Sequence, residues 1–547
     1  MNNNLPNNQF DFRHTNEEEV FKFINDLNSD SSSGHSRISV KILKAAANSI
    51  IRPLTKLINK CIDSNKYPAN WKIAIVTPLF KKGDTSDLNN YRGISILPPL
   101  NKVFEKILAS QIKSYFESNK LFYDGQHGFR CNHSCETALH EIITACQNNR
   151  DKALINLLVF IDFKKAFDMV DPKLLLIKLL NYGFGNNAAK LLSDYFSNRK
   201  MQTRLNDILS AFIGLTLGVP QGSILGPLLF TIFINDIAAA LKEVLVKLFA
   251  DDTTLVLAHS NLKTLLSMFR KVILILNEWC KHNRLYINWS KTFNMFITNK
   301  RVVVPDFLEI EDAKICTTNK FKLLGIHLDD KLQFIDHAAN VCLSVNKRLH
   351  TIKKLFYLPY SVKIHFFKTF ILPYFDYCIS LSIYFHNTAI RKLCKMYYLC
   401  LFKLFGFKFL NLDCNTVNDL LFNNYIFSFH HRIVFRITSF LFKIMYSWNS
   451  PHELKSWLKA DKLYDSNHNL RSNGRELVVP AFSKSKFGDL RFRNIFANYV
   501  NFYKLYNLNV SFYDFKKQFF LNLNSYVNTF LTLLPKFNVN LDFYFFK

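Results

Sequence analysis

The chain has 547 residues, 49% of them hydrophobic and 15% aromatic, which allows several domains and a large core and excludes a disordered or low-complexity protein. Lys and Arg number 70 against 42 Asp and Glu, a net charge of +28. That excess, spread along the chain, points to a polyanionic partner, nucleic acid or an acidic membrane surface, and suits a long groove better than a tail.

The opening "MNNNLPNNQFDFRH" is polar, so no secretory signal is expected and residues 1–16 read as a disordered tail. From about 17 to 70 apolar residues recur at helical spacing around the loop "DSSSGHS". "IAIVTPLF" (73–80) reads as a strand, "KKGDTSDLNN" as a basic turn and "YRGISIL" (91–97) as a second strand. "NKVFEKILASQIKSYFES" is an amphipathic helix, and "ALINLLVFIDF" (153–163) has the continuous apolar character of a buried strand. The next helix has a readable start and stop: Asp171 as cap, Pro172 in the first turn and Gly183 past the end. "GLTLGVPQGSILGP" (214–227) is a loop punctuated by Gly and Pro before the apolar helix "LLFTIFINDIAAAL". A hairpin around Asp251 and the helix "LKTLLSMFRKVILILNEWCKHN" follow. Strands alternating with helices indicate an α/β or α+β architecture.

From about 331 the chain reads as mostly helical. Ile335, Ala338, Cys342, Val345, Leu349 and Ile352 form a stripe, with Lys347, Arg348, Lys353 and Lys354 largely off it; on periodicity alone this is an ordinary surface helix. Beyond about 450 the chain is basic and aromatic. The run "FILPYFDYCISLSIYF" is too short for a membrane span and is interrupted by Pro373 and Asp376. The 11 cysteines are odd in number and scattered, so reduced thiols are expected. His127, Cys131, His133 and Cys135 lie within one short stretch and lack the separated half-sites of structural zinc modules, so no structural zinc is expected.

The chemistry concentrates on carboxylates. Asp162 ends the buried strand, and Asp251 and Asp252 stand in "VKLFADDTTLVLA", where a structural turn would rather use Asn-Gly or Asp-Gly. If the two strands are neighbours the three acids converge, and in a basic protein they then call for a cation. Mg²⁺ takes oxygen ligands and keeps water and substrate phosphate in its shell. Two such ions about 4 Å apart activate an attacking 3′-hydroxyl and stabilise a leaving pyrophosphate. Lys81, Lys82 and Arg92, on the tip and flank of the early hairpin, suit a triphosphate, the plain alternative being a solvated turn. "GVPQGS" offers Gly218 and Gly222, which let backbone approach a ligand, and Gln221, whose amide both donates and accepts; the alternative is a plain loop.

In this order the pieces resemble the reverse transcriptases of non-LTR (LINE-type, jockey-like) retrotransposons. The stretches that carry the likeness are "WKIAIVTPLFKKGDTSDLNNYRGISIL", "FEKILASQI", "GQHGFRCNHSCETAL", "VFIDFKKAFDMVD", "GVPQGSILGPLLFTIFINDI", "KLFADDTTLVL", "LNEWCKHNRLYINWSKT" and "FKLLGIHLD", over about 70 to 328. The resemblance implies an α+β right-hand polymerase fold of fingers, palm and thumb, with a helical N-terminal extension and a mostly helical C-terminal region. It divides the chain into a finger extension at 17–60, fingers and palm at 61–328, thumb and connection helices at 329–450 and a basic C-terminal region at 451–547. It implies an RNA-directed DNA polymerase with Asp162, Asp251 and Asp252 holding two Mg²⁺ ions, or Mn²⁺ in their place. Phe167 would exclude a ribose 2′-hydroxyl, Gln221 with Gly222 and Arg92 would contact the incoming nucleotide, and Arg130 the template. Lys291 would be a proton donor near the pyrophosphate, and Leu324 and Gly325 of "FKLLGIHLD" would grip the primer. The helix bearing Lys347, Arg348, Lys353 and Lys354 becomes a thumb helix, which reverses the reading from periodicity. The implied partners are an RNA template, a DNA primer and dNTPs, with no membrane, in the nucleus and cytoplasm.

The sequence departs from the family pattern in places. Gly93 stands where many relatives have Pro, His127 replaces an aromatic residue, and "SSSGHSRI" lacks the usual Lys and Asp. No endonuclease is expected ahead of the polymerase, which places insertion by this chain alone in doubt. Two other readings stand beside the polymerase: a decayed element copy that only binds nucleic acid, and a group II intron maturase, for which no splicing domain is evident.

Overall fold

The computed structural model describes residues 9–310, 313–354, 357–406, 420–421, 423–424, 426–458, 511 and 513–516. Helices and sheets are mixed, and the chain divides into two compact units. The first holds Met1–Phe129, Phe160–Thr254 and Arg270–Thr292; the second holds Arg130–Val159, Leu255–Phe269 and Phe293–Lys547.

In the first unit the expected tail is partly ordered, which corrects its reading as disordered. Phe10 is buried against Tyr115 and Phe184, and its N–H donates to the Gly183 carbonyl at 2.8 Å. A polar sequence carrying Phe10 and Phe12 has enough apolar area to dock once a pocket exists, and the pocket for Phe10 is made by residues far along the chain. Helix Glu17–Asn25 then starts at Asn16, whose side chain accepts from the Glu19 N–H, with three acids in the first turn.

The strands β1 (Ile73–Phe80) and β2 (Tyr91–Ile96) are antiparallel, with Leu79 opposite Arg92. Strand β3 (Ile155–Ile161) is buried at every residue, as its unbroken apolar run requires, and passes from the second unit into the first. β4 (Arg199–Leu205) runs parallel to β1 and pairs with the short β5 (Ile208–Leu209) and β6 (Ile213–Leu215). The helix expected after Asp171 is Pro172–Asn181; the Asp171 side chain accepts from the N–H groups of Lys173 and Leu174, and Gly183 takes φ +89° past the end. Helices Pro99–Ser118, Asn186–Phe196 and Leu225–Phe233 complete this core, with Phe104, Phe116, Tyr195, Phe230 and Phe233 fully buried.

β7 (Leu245–Phe249) and β8 (Asp252–His259) form the expected hairpin. Its two-residue tip is Ala250–Asp251, so Asp252 is the first residue of a strand. The sheet order beside it is β3-β8-β7.

In the second unit residues 155–159 of β3 and 255–259 of β8 lie in a sheet with β9 (Phe293–Ile297), β10 (Phe307–Ile310) and β11 (Ala313–Thr317), in the order β10-β11-β9-β3-β8. β12 (Lys320–Leu323) and β13 (Ile326–Asp329) make a separate hairpin. Helix Ile335–Lys354 buries Ala338, Val345 and Leu349 and packs on Asn387–Phe405, as the stripe in the sequence requires. Helix Cys135–Asp151 starts from a capping box at Ser134 and Thr137. It carries a buried polar chain: the His140 ring lies 2.7 Å from Ser380 Oγ and 2.9 Å from the Tyr384 hydroxyl, and Ser380 donates to Glu136. Burial pushes the His140 pKa down to about 3, so the ring is neutral. Most of 451–547 lies outside the described residues. The ten described cysteines are all free thiols.

Candidate active site

The hairpin tip that carries Asp251 is built from backbone strain and a second strand-like segment. Ala250 takes φ +56°, a conformation that favours glycine. It is held there by "GQHG". The Leu248 N–H donates to the Gly125 carbonyl at 2.9 Å, the His127 N–H donates to the Leu248 carbonyl at 2.8 Å, and Gln126 Oε1 accepts from the N–H groups of Gly128 and Ala250. A Cβ on Gly128 would stand 2.3 Å from the Ala250 nitrogen, so only glycine lets the two backbones meet. His127 is therefore buried beside the hairpin by its backbone bonding. In the second unit, His133 Nδ1 lies 2.8 Å from the Cys131 carbonyl.

Asp162 is fixed by "YINWSKT". The Lys164 N–H donates to the Tyr286 carbonyl and the Asn288 N–H to the Asp162 carbonyl, a short antiparallel bridge centred on Phe163 and Ile287. The Asn288 side-chain amide donates to Asp162 Oδ2 at 2.9 Å. Lys291 is exposed on the short turn Trp289–Lys291 that follows, its N–H bonded to the Asn288 carbonyl.

The three carboxylates are within electrostatic reach of one another. Burial raises the Asp251 pKa, Asp162 raises it further, and Arg92 pulls it back. Asp252 is pushed up to about 6, first by the protein packed around it and then by Asp251 and Asp162. Arg92 is the basic residue from the early hairpin that the fold brings to this place; Lys81 and Lys82 stand exposed at the end of β1. Among the described residues no three His, Cys, Asp or Glu side chains already stand closed around a point as a metal cage. The donor set nonetheless fits a divalent cation: all oxygen, all anionic, with Asp162 raising the pKa of Asp251 and both raising that of Asp252.

The loop "GVPQGS" is clamped on both sides. The Val219 N–H donates to the Phe167 carbonyl and the Gly218 N–H to the Val170 carbonyl; the Ser95 N–H of β2 donates to the Gln221 carbonyl at 2.6 Å. The Gln221 amide nitrogen donates to Asp168 Oδ1 at 2.8 Å. A Cβ on Gly218 would lie 2.8 Å from the Asp168 carbonyl oxygen, and one on Gly222 would lie 2.4 Å from the Ser95 oxygen. The close approach that these glycines permit is thus to protein backbone, where the sequence suggested a ligand. Phe167 is half-buried and stacks on Phe230 with ring centroids 4.3 Å apart.

Other expected contacts lie in the second unit. Arg130 is half-buried at its first residue. Leu324 (φ +46°) and Gly325 (φ +83°) form the turn between β12 and β13, where the Tyr377 hydroxyl donates to the Leu324 carbonyl at 2.7 Å. Lys347 and Lys354 are exposed; Arg348 lies over the Tyr374 ring at 4.2 Å and donates to the Ser344 carbonyl. The Lys353 side chain lies outside the described residues.

Sequence reasoning missed Asn288, Asp168, Gln126 and Glu105. Buried Glu105, in "FEKIL", accepts from the Ile224 N–H at 2.6 Å and from the Tyr195 hydroxyl, tying helix Pro99–Ser118 to the end of the "GVPQGS" loop. Each of the four lies inside a stretch that carries the family likeness, but its partner is distant in sequence, so only position within a motif signalled it.

Residues 80–328, which hold these carboxylates and the clamped Gly-Gln loop, match the family of reverse transcriptases (RNA-dependent DNA polymerases). The chain carries a reverse transcriptase domain, and its likeness to the non-LTR retrotransposon enzymes holds. It is 28% identical over 332 residues to the "Probable RNA-directed DNA polymerase from transposon X-element" of Drosophila melanogaster, covering 59% of this chain and 36% of that protein. It is 29% identical over 350 residues to the corresponding protein of transposon BS, 62% of this chain and 38% of that one. To the "RNA-directed DNA polymerase from mobile element jockey" it is 24% identical over 379 residues, 67% of this chain and 41% of that protein; both are also from Drosophila melanogaster. The match thus spans about two fifths of these relatives' length. Among the described residues no helix is long and apolar enough to cross a membrane.

Proposed function

We propose that the chain is the RNA-directed DNA polymerase of a non-LTR retrotransposon, extending a DNA primer with dNTPs on an RNA template. The observation that carries this reading is that β3 and β8 are neighbouring strands, so that Asp162 after the end of one and Asp251 and Asp252 at the start of the other adjoin within the segment that matches reverse transcriptases. In this reading residues 61–328 are fingers and palm, with 17–60 as a finger extension. Residues 329–450 are thumb and connection helices, and 451–547 is a basic C-terminal region.

Asp162, Asp251 and Asp252 hold the catalytic cations. When bound, two Mg²⁺ ions, or Mn²⁺ in their place, activate the primer 3′-hydroxyl and stabilise the departing pyrophosphate. Arg92, with Lys81 and Lys82, neutralises the triphosphate; Arg92 already faces Asp251 and so joins nucleotide charge to carboxylate charge. Gln221 has its amide nitrogen on Asp168 and therefore offers its carbonyl oxygen to the nucleotide, with Gly222 beside it. Phe167, braced on Phe230, resists displacement by a ribose 2′-hydroxyl, because overpacking a rigid site costs about 1–3 kcal/mol. Lys291 supplies a proton to the pyrophosphate. Arg130 meets the template, and the Leu324–Gly325 turn meets the primer. Lys347, Arg348, Lys353 and Lys354 follow the nucleic-acid backbone. The polymerase works inside the cell, in cytoplasm and nucleus.

Primer extension on a poly(A)-tailed RNA tests the reading. Asp251→Asn should reduce extension by about a thousandfold, equivalent to about 4 kcal/mol, while RNA binding persists. If the Asp251→Asn variant extends near the wild-type rate, the carboxylate assignment is overturned.

A further inference from the structure

We propose that Asn288 is a positioning residue that sets the affinity of Asp162 for its cation; the inference rests on the metal-binding reading above. A carboxylate at the end of a strand has free rotation about its last bond unless something holds it. Asp162 is held at three atoms. Its N–H donates to Thr292 Oγ1 at 3.4 Å, its carbonyl accepts from the Asn288 N–H at 2.7 Å, and its Oδ2 accepts from the Asn288 amide at 2.9 Å.

The holder is itself held. Ser290 Oγ donates to Asn288 Oδ1 at 2.8 Å, which leaves the amide nitrogen to face the carboxylate. Thr292 Oγ1 donates to the Asn288 carbonyl at 3.0 Å, and its lone pair takes the Asp162 N–H, so one hydroxyl joins both backbones. Asn288 thus fixes the rotation of the Asp162 carboxylate through one oxygen and leaves the other for a cation.

The residue type matters. A Lys or Arg at 288 would make an ion pair and compete with a metal for the same negative charge. A carboxylate there would repel Asp162. A neutral amide donor does neither: it orients the ligand and leaves its charge unspent. Hydrogen-bonded partners of metal ligands have this effect elsewhere, and their removal typically costs about 10–100-fold in metal affinity.

The probe is Mn²⁺ binding to the full chain without nucleic acid, counted by the electron-spin resonance of free Mn²⁺. It is read beside the Mg²⁺ concentration that half-saturates primer extension. Asn288→Ala should raise the Mn²⁺ dissociation constant and the half-saturating Mg²⁺ together by about tenfold, with a smaller change in kcat at saturating metal. Ser290→Ala, an exposed change that leaves the fold intact, should raise both by about two- to threefold in the same sense. Asp162→Asn should lose the site.

If Asn288→Ala, or Ser290→Ala should the first variant not fold, binds Mn²⁺ as the wild type does while Asp162→Asn is impaired, the positioning role is overturned and the polymerase reading stands. If Asp162→Asn itself binds Mn²⁺ like the wild type, the metal assignment falls and the positioning role falls with it.

Discussion

Asp252 shows what a single side chain contributes at this site. Its carboxyl is raised to about 6, so the folded chain without metal keeps a proton that the unfolded chain, with an ordinary carboxyl near 3.9, has released. The folded state then binds more protons than the unfolded state between those values, and stability without metal should fall as pH rises from about 4 through about 6. A divalent cation needs the ionised carboxylate, so its stabilising effect should appear over the same window and grow toward neutral pH. Thermal melts from pH 4.5 to 7.5, with and without Mg²⁺, read both trends, and Asp252→Asn should flatten both. Equal Mg²⁺ stabilisation at pH 5 and pH 7.5 in the wild type would sink the idea. Asp162, Asp251 and Asp252 stood out in the sequence as a candidate group because two adjacent acids fit a structural turn poorly, with a solvated strand end as the equal alternative. Their mutual electrostatics, and the partner of each, were not legible, since those depend on which strand ends adjoin.

The loop 218–223 is the element whose meaning changed most between sequence and structure. Gly218 and Gly222 suggested a surface for ligand approach, yet their missing side chains make room for Asp168 and Ser95. The loop is therefore a joint between the turn after β3 and strand β2, and Gln221 is aimed by that joint. Gly222→Ala should be costly twice over: φ is +120°, and the new Cβ would stand 2.4 Å from a backbone oxygen. A loss of about 2–4 kcal/mol is expected, from strain and overpacking together. Gly214→Ala is the matched control, because a Cβ there meets nothing within 4 Å. Denaturant melts of the two variants decide it; equal midpoints would show that the loop yields freely and is not clamped. The tip at Ala250–Asp251 follows the same logic, its strained alanine being set by Gln126 from a distant motif.

At the scale of the whole molecule the governing quantity is charge. A net +28 implies that nucleic-acid binding releases counterions and weakens steeply with salt. The basic residues of helix Ile335–Lys354 are not equivalent. Lys347 and Lys354 are exposed, whereas Arg348 is spent on the Tyr374 ring and the Ser344 carbonyl. Replacing Lys347 and Lys354 together by Ala should reduce the slope of log affinity against log salt by about 2, one for each lost phosphate contact, and Arg348→Ala should reduce it by less. Fluorescence anisotropy of a labelled primer–template across a salt series gives the slope. No change in the double variant would mean that this helix does not meet the duplex.

Apolar runs and periodicity located β1, β2, β3 and the helices Pro99–Ser118, Pro172–Asn181, Leu225–Phe233 and Leu262–Asn283, because a strand or helix buries its face by local periodicity whatever its neighbours are, but they did not locate helices Cys135–Asp151 and Asn186–Phe196. Asp171, Pro172 and Gly183 bounded their helix for the same local reason: capping is settled within a turn. The order of the motifs was likewise enough to indicate a reverse transcriptase, a reading that the match over 80–328 bears out. The sequence did not determine that Phe10 leaves the tail to pack on Phe184, or that the glycines of "GVPQG" face backbone. Nor did it show that Asn288 grips Asp162. Each of these is a contact between segments far apart in the chain. Their partners are chosen by shape and unsatisfied hydrogen bonds after the sheets have formed, and no local pattern of residues records that choice.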